Sequence, residues 1–315
     1  MGADLDGLLG YWTFQEGAGT STADLTTNGF NGTFDNIATW GGPAWTNSPF
    51  GGSALNFDGV NDRITIGNPP ALQMTGPMTL TAWVYVRTFS KNGRIITKGG
   101  GSGQRSWALN VESGTTPPNT GSLQIGATAS TTFSVRTIDA IPAHQWIHLA
   151  GVYIPGEAMR IYTNGFLNNE VTADVPPAQN NSSLNVTIGA RPSGSPDTPF
   201  DGLIDEVRVF NRALTAEEIQ ALPELVQTPL TFTKQPASQT VVELRPVTFT
   251  AAVQGPPPYF IQWYENGLPI FDANRFEYTI PSATLDLDGR QYSVTVSNLA
   301  YGVTSTNATL RVSTD

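Results

Sequence analysis

The strongest constraint on the fold of this chain is a succession of short segments in which apolar and polar residues alternate. Examples are 62–67 (DRITIG), 93–99 (GRIITKG), 121–127 (GSLQIGA) and 185–190 (NVTIGA). Clusters of glycine, asparagine, proline and serine separate these segments, and the 315 residues include 32 glycines and 23 prolines. Many short strands at such spacing predict an antiparallel sandwich or barrel. The sequence therefore indicates an all-β protein.

Net charge limits the kinds of partner that are expected, and cysteine content limits the covalent chemistry. The formal net charge is −10, which argues against nucleic acid or an anionic membrane surface and suits neutral sugars or cations. The chain has no cysteine, so neither a disulfide framework nor thiol chemistry is expected. No segment is apolar over the length that spans a bilayer, and the first residues show no secretion signal. If the parent protein is exported, this chain is a mature form or a fragment.

One helix is predicted, near the middle of the chain. Thr215 and Glu218 have the spacing of a capping box, in which each side chain bonds the backbone N–H of the other residue. Leu214 and Ile219 occupy the flanking apolar positions, and Pro223 is expected to end the helix. We interpret this short helix as the last element of a first domain.

Composition and strand spacing predict two domains. The first covers residues 1–222, a linker covers 223–229, and a smaller domain covers 230–315. The second domain resembles an immunoglobulin-like sandwich, with Trp263 in the middle of one strand and Tyr292 at the start of a later one. Such domains serve many functions, so this resemblance predicts a fold and no activity.

Five segments of the first domain carry a second resemblance. They are 10–34, 54–67, 79–86, 145–165 and 202–222. In their order and spacing they resemble a bacterial laminin-G-like domain of the concanavalin A-like lectin/glucanase superfamily, over almost all of residues 5–222. The resemblance implies a two-sheet jelly-roll sandwich. The expected architecture is therefore a concanavalin A-like jelly roll followed by a smaller immunoglobulin-like β-sandwich.

The last strand of this domain contains an unusual pair of acidic residues, Asp205 and Glu206. In strict alternation, Asp205 shares a face with Val207 and Val209, whereas Glu206 and Arg208 point to water. A carboxylate on an apolar face needs a cation or several hydrogen-bond donors. Asp205 is therefore expected to pair with such a partner or to lie at the strand end.

The jelly-roll resemblance implies a role for Asp205 as a calcium ligand. In folds of this broad kind an acidic residue on the last strand often holds a structural calcium together with a loop near the N-terminus. Here that loop is 23–32, in which Asp24, Asn28 and Asn31 supply the hard oxygen ligands that calcium prefers. The prediction is a structural calcium bound by Asp24, Asn28 and Asp205. The alternative is that Asp24 is a turn residue and that Asp205 pairs with an arginine.

The sequence argues against catalysis. Retaining glucanases of this superfamily carry closely spaced acidic residues on one strand, and no such pattern occurs here. His144 and His148 are expected to be a loop residue and a packed strand residue, respectively, because their segment has the pattern of a strand. No nucleophile elbow, phosphate loop or zinc signature is present. We do not expect an enzyme.

The remaining expectation is carbohydrate binding, which uses aromatic rings to stack on sugars and polar side chains to bind hydroxyl groups. The loop 97–107 offers Lys98, Gln104 and Arg105 beside Trp107, which alternates with Leu109 and is equally consistent with a core position. The predicted carbohydrate-binding residues are Trp40, Trp45, Arg94, Lys98, Gln104, Arg105 and Trp107. Trp40 and Trp45 are expected in exposed loops, and Arg94 and Arg136 suit uronate or sulfate groups.

The function predicted from the sequence is that of a non-catalytic, lectin-like module of a larger secreted or cell-surface bacterial protein. Its partner would be a polysaccharide or glycan, with the immunoglobulin-like domain as a spacer. The alternative is a structural or adhesive module that binds a protein partner at the cell surface. Exposed aromatic residues in a groove favour the first function, and a broad patch without a groove favours the second.

Overall fold

A computed structural model describes residues 6–35, 42–50, 52–89, 92–101, 103–114, 117–192, 198–227, 230–255, 259–297 and 302–314. The chain divides into two compact units, and the boundary between them falls between Pro223 and Glu224. The larger unit is Asp4–Pro223, and the smaller includes Glu224–Asp315. Both consist mainly of β-strands. The observed class is thus the predicted one, all-β with a sandwich as its main body.

In the described part of the larger unit the strands form two eight-stranded sheets. In chain order the strands are β1 (Leu8–Trp12), β2 (Ser21–Thr22), β3 (Gly32–Phe34), β4 (Ala44–Asn47), β5 (Ser53–Asp58), β6 (Ile64–Gly67), β7 (Met78–Val86), β8 (Arg94–Lys98), β9 (Trp107–Glu112), β10 (Thr120–Gly126), β11 (Thr132–Arg136), β12 (Trp146–Ile154), β13 (Ala158–Thr163), β14 (Phe166–Val171), β15 (Val186–Ile188) and β16 (Asp201–Phe210). Sheet A has the order β14-β13-β12-β7-β16-β5-β4, with β1 also paired to β16. Sheet B has the order β11-β10-β9-β8-β15-β6-β3-β2.

Alternation along the strands builds the core and leaves a polar face on each sheet. In β9, Trp107, Leu109 and Val111 belong to the hydrophobic core. The intervening residues Asn110 and Glu112 point to the opposite face, where they make side-chain hydrogen bonds. In β10 the polar residues Ser122 and Gln124 likewise alternate with the core residues Leu123 and Ile125.

A bulge in β16 overturns the strict alternation predicted for this strand. Glu206 has φ of 56° and the pairing with β7 shifts in register between Asp205 and Arg208. Val207 and Val209 consequently pack in the core, whereas Asp205 and Arg208 bond to polar groups. The prediction that Asp205 shares a face with the two valines is wrong. The prediction that Glu206 and Arg208 point to water is also wrong, because both are buried.

The predicted helix is present as α1 (Ala216–Gln227). Thr215 N donates to Glu218 Oε2 at 2.7 Å and Glu218 N donates to Thr215 Oγ1 at 3.3 Å, which confirms the capping box. Pro223 lies inside the helix, so the prediction that it ends there is wrong. A proline removes one backbone hydrogen bond, which bends a helix without necessarily ending it. Among the described residues no helix is long and apolar enough to cross a membrane.

The smaller unit is a second, independent set of strands. They are β17 (Thr231–Lys234), β18 (Gln239–Val242), β19 (Val247–Thr250), β20 (Ala252–Gln254), β21 (Phe260–Glu265), β22 (Leu268–Pro269), β23 (Glu277–Ile280), β24 (Gln291–Ser297), β25 (Gly302–Thr304) and β26 (Ala308–Ser313). Its core contains Trp263 and Tyr292, both fully buried, and the ring of Phe249 stacks on Tyr292 at 4.7 Å. Trp263 lies in the middle of β21, as predicted. The immunoglobulin-like assignment stays a prediction.

Candidate functional site

A row of polar side chains crosses four strands of sheet B. Strand register pairs Arg94 of β8 with Asn110 of β9, Asn110 with Ser122 of β10, and Ser122 with Arg136 of β11. We call these four residues the polar row. Since they lie in register across adjacent strands, their side chains are neighbours on one face. Local alternation and sheet pairing together therefore assemble a polar surface from four separate segments.

Glu112 is the acceptor that organises this surface. Its Oε1 accepts hydrogen bonds from Ser122 Oγ at 2.7 Å, Gln124 Nε2 at 2.8 Å and Asn110 Nδ2 at 3.1 Å. Its Oε2 pairs with Arg136. Burial alone would raise the pKa of this carboxyl, but the hydrogen bonds from Ser122 and Arg136 hold the pKa below its usual value. Glu112 is therefore ionised at neutral pH, and its charge is already balanced by Arg136.

Arg94 is a buried cation held by neutral partners. Its Nη1 donates to Asn110 Oδ1 and to Gln124 Oε1, both at 2.7 Å, and only 5% of the residue is exposed. Its Nε is buried and has no hydrogen-bond partner. Burial, and then the positive charge of Arg191, lower the pKa of Arg94 to about 9. A buried N–H of this kind is stabilised by an acceptor that approaches it.

A pocket opens beside Arg94, and we call it the basic pocket. Its lining residues are Arg94, Thr97, Lys98, Gly99, Gly100, Arg105, Ser106, Trp107, Ala108, Gln124, Thr132 and Arg191. Lys98 Nζ donates to the side chain of Asn68 and to Leu184 O, and burial lowers the pKa of Lys98 to about 8. Arg105 Nη1 donates to Thr132 Oγ1 at 2.7 Å, and Arg105 Nε is buried without a partner.

The described side chains of the basic pocket mainly donate hydrogen bonds. The described lining residues include no aspartate or glutamate. Three cations, Arg94, Lys98 and Arg105, have only neutral hydrogen-bond partners. Hydroxyl groups of Thr97, Ser106 and Thr132 complete the polar lining, so the pocket is suited to bind oxygen acceptors.

The structure brings together part of the predicted carbohydrate site. Arg94, Lys98 and Arg105 all line the basic pocket. Gln104 lies beside it in an exposed turn, where its backbone bonds Gly100 and Gly101. Trp107 is 1% exposed and its ring belongs to the core, so of the two readings of Trp107 the core position is the observed one. Stacking of a sugar on Trp107 is therefore not possible without opening the sandwich.

The two predicted surface tryptophans are elsewhere. Trp40 lies outside the described residues. Trp45 lies in β4, at the edge of sheet A, so the prediction of a loop position is wrong. Its Nε1 donates to Gly19 O at 2.9 Å, and its ring lies 5.6 Å from that of Phe34. It does not line the basic pocket.

Sequence reasoning missed the residues that complete the site. Asn110, Glu112 and Gln124 connect Arg94 to Arg136, and Thr132 positions Arg105. Alternation within 107–112 and 121–127 does place their polar residues on the face opposite the core. Alternation does not predict the strand register. These residues are neighbours because of that register.

Asp24 is held by its own loop. Its Oδ1 accepts hydrogen bonds from Tyr11 N at 2.9 Å and Thr26 N at 3.0 Å, and its Oδ2 accepts from Thr26 Oγ1 at 2.7 Å and Phe30 N at 2.9 Å. Asn28 is exposed and its Nδ2 donates to a backbone carbonyl. These four bonds satisfy the Asp24 carboxylate without a cation, as in an Asx turn.

Asp205 belongs to a different hydrogen-bond network. Its Oδ2 accepts from Ser48 Oγ at 2.7 Å and its Oδ1 from Glu206 N at 2.9 Å. Within the described segments no cluster of three histidine or acidic side chains is placed to hold a metal. In the structure Asp24 and Asp205 thus accept hydrogen bonds from two different sets of groups. Calcium binding by this chain stays a prediction.

A buried ionic cluster lies on the non-core side of sheet A. Arg208 Nη2 donates to Glu206 Oε2 at 2.6 Å and to Tyr11 Oη at 2.8 Å, and its guanidinium carbon is 4.2 Å from the Tyr11 ring centre. Burial raises the pKa of Glu206. His148 is also fully buried, neither ring nitrogen has a partner, and its ring packs edge-on against Trp83 at 5.6 Å. Because the cluster is enclosed, it is a structural feature and not a surface site.

The sheet arrangement and the family comparison agree. The family model described as the concanavalin A-like lectin/glucanases superfamily, of the laminin G type, matches residues 58–220, just over half of the chain. The chain belongs to this superfamily. The match begins later than the resemblance seen over residues 5–222, and it stops before the smaller unit of this laminin G-like protein. No curated protein sequence matches the chain.

Several solved structures share the fold. Domain 4 of the extracellular GH43 arabinanase of Geobacillus stearothermophilus, in complex with arabinotriose, is 24% identical with a TM-score of 0.53, and the match covers 69% of this chain and 98% of that one. The binding domain of Paraclostridial Mosquitocidal Protein 1 is 11% identical with a TM-score of 0.54, over 92% and 75% of the two chains. The ligand-binding domain of botulinum neurotoxin serotype D, in complex with N-acetylneuraminic acid, is 12% identical with a TM-score of 0.52, over 92% and 71%. At these identities the likeness establishes the fold.

Proposed function

We propose that the larger unit is a non-catalytic carbohydrate-binding module, and that it binds a glycan in the basic pocket and along the adjoining polar row. The single observation that carries this proposal is the pocket itself, in which Arg94, Lys98 and Arg105 present N–H donors supported by neutral partners. Side chains held by hydrogen bonds before a ligand arrives lose little conformational entropy on binding. Two of the solved structures that share this fold contain a bound saccharide, which supports the choice of ligand.

The proposed lack of a catalytic role is supported by the positions of the described carboxylates. Glu112, which bonds three residues of the polar row, is neutralised by Arg136 and accepts hydrogen bonds from three further donors. Asp205 and Glu206 are adjacent but fully enclosed in sheet A. Glycoside hydrolysis needs two carboxylates that face each other across a cleft, about 5–10 Å apart. Among the described residues that line the basic pocket there is no such pair.

The proposed cellular context is a larger bacterial protein, secreted or attached to the cell surface, in which this module attaches a partner domain to polysaccharide. The smaller unit would then act as an immunoglobulin-like spacer. The alternative, a structural or adhesive module for a protein partner, predicts no polysaccharide retention.

The test is a retention screen of the whole chain on a broad polysaccharide panel, repeated with two variants. Arg105→Ala removes a cation from the basic pocket. Arg160→Ala is the matched control, because Arg160 lies on β13 of sheet A and pairs with Glu170 at the surface. The proposal expects retention on at least one polymer class, reduced by Arg105→Ala and unchanged by Arg160→Ala. Retention that is insensitive to Arg105→Ala would exclude this pocket, and no retention at all would favour the protein-binding alternative.

A further inference from the structure

We propose that the basic pocket selects an acidic glycan, by binding a carboxylate or sulfate group of a sugar between Arg94, Lys98 and Arg105. This inference rests on the proposed glycan-binding function and specifies the class of ligand. Carboxylate and sulfate groups share the relevant chemistry, since both are anionic and accept hydrogen bonds without donating them.

Hydrogen-bond donors outnumber the free acceptors among the described side chains of the pocket. A neutral sugar presents hydroxyl groups, each of which donates as well as accepts, and sites for such sugars supply acceptors to match. Here the obvious side-chain acceptor, Gln124 Oε1, already accepts a hydrogen bond from Arg94. The side chain of Asn68 is likewise engaged by Lys98. The pocket therefore has an excess of donors, which an acceptor-only group satisfies best.

Two buried N–H groups strengthen this argument. Arg94 Nε and Arg105 Nε are enclosed and have no hydrogen-bond partner, and both residues line the pocket. An unpaired buried donor is costly, more so when it belongs to a charged group. An anion that enters the pocket would supply the missing acceptors and would also offset the burial of the cations. Both effects favour an anionic group over a neutral one.

The positive charge of the basic pocket contrasts with the negative net charge of the whole chain. The formal net charge is −10, so the protein as a whole repels polyanions. Three cations that lack a carboxylate partner are nevertheless gathered at one pocket. The ion pair between Arg136 and Glu112 adds no net charge beside them. Retention on an acidic polymer would consequently report this pocket and not a general basic surface.

The experiment compares pairs of polymers that differ only in charge. One pair is polygalacturonate and its fully methyl-esterified form, and the other is dextran sulfate and dextran. Affinity of the full chain for each polymer is measured at low and at high salt. We expect binding to at least one acidic member, at least tenfold weaker binding to its neutral partner, and weakening by salt. Preference for polygalacturonate over dextran sulfate would identify a carboxylate, and the reverse preference a sulfate.

Three variants connect the binding to the pocket. Arg105→Gln removes the charge and is expected to weaken binding to the acidic polymer about tenfold or more, because charge-assisted hydrogen bonds are the strong ones. Arg105→Lys keeps the charge and is expected to retain part of the affinity. Arg160→Gln is the control on the opposite sheet and is expected to change nothing. Lys98→Met provides a second test of the pocket, with circular dichroism to verify that the variant is folded.

The outcomes separate this inference from the proposed function. Equal binding to the charged and neutral members of each pair would overturn the acidic-glycan inference and leave a glycan-binding module. Retention of neutral polymers alone would do the same. Failure to bind any polymer would overturn both proposals. Acidic-polymer binding that Arg105→Gln and Lys98→Met leave intact would place recognition outside the basic pocket and refute the inference.

Discussion

His148 gives the sharpest test of the structure, because the account predicts both the sign and the size of its effect. The imidazole is fully buried and packs against Trp83, and both ring nitrogens lack partners. Burial, followed by the nearby positive charge of Arg208, lowers the pKa of His148 from 6.5 to about 3. His148 is therefore neutral in the folded protein throughout the physiological range.

The sign of the pH effect follows from this lowered pKa. As pH falls below 6.5 the unfolded chain binds a proton at His148 and the folded chain does not, so the free energy of unfolding decreases. Each pH unit between 6.5 and about 3 costs about 1.4 kcal/mol, which gives about 2 kcal/mol between pH 7 and pH 5. Asp205 and Glu206 act in the opposite direction, because burial raises the pKa of each and the folded state then takes up protons first.

The variant His148→Leu isolates the histidine from these neighbours. Leucine has a similar volume, and the substitution removes the two buried ring nitrogens that lack partners, so at pH 7 we expect stability equal to the parent or slightly greater. Its advantage over the parent should grow by about 2 kcal/mol on acidification from pH 7 to pH 5. Urea unfolding followed by tryptophan fluorescence reports mainly the larger unit, since only Trp263 of the seven tryptophans lies in the smaller one. Parallel stability curves for parent and variant would refute the assigned environment of His148.

Three further predictions follow from the contacts described above. Arg208→Met leaves the buried Glu206 carboxylate without its cation and is expected to cost about 3–5 kcal/mol in the same urea assay, whereas an effect below about 1 kcal/mol would contradict the buried ion pair. Trp45→Ala changes an edge-strand residue of sheet A that does not line the basic pocket of sheet B, so polysaccharide retention is expected to be unchanged, and its loss would argue for a sugar site at β4. Excess chelator is expected to leave the thermal midpoint unchanged, since four hydrogen bonds already satisfy Asp24. A midpoint raised by added calcium would instead support the predicted ion.

Local patterns predict the parts of this fold that depend on near neighbours in sequence. The segment 93–99 was predicted as a strand and contains β8. The prediction was possible because the alternation of apolar and polar residues indicates which side chains face the core. The Asn164–Gly165 turn joins β13 to β14, and both residues have positive φ as expected for a tight hairpin. The capping box at Thr215 is likewise formed by residues three apart.

The features that sequence did not predict depend on contacts between distant segments. Glu206 takes a left-handed conformation because Val207 packs in the core while the Glu206 carboxylate reaches Arg208 and Tyr11 across the sheet. No local pattern encodes that bulge. Trp45 lies in a four-residue edge strand. The strand is short and flanked by glycine and proline, so the sequence pattern there is typical of a loop.

The candidate site also combines features that the sequence predicts with features that depend on contacts between distant segments. Arg94, Lys98 and Arg105 were identified from their residue types and proximity in sequence, and all three line the pocket. Gln124 is 30 residues from Arg94, and only the pairing of β9 with β8 and β10 brings them together. Register depends on turn geometry and core packing along the whole sheet.

The central claim is that a glycan binds in the basic pocket of sheet B. The most direct measurement is a crystal structure of the chain with an oligosaccharide of the best-retained polymer. The account predicts a sugar whose acceptor oxygens lie within hydrogen-bond distance of Arg94, Lys98 or Arg105. A sugar bound at β4, at another surface of the sandwich or on the smaller unit, with the basic pocket free of ligand, would contradict it.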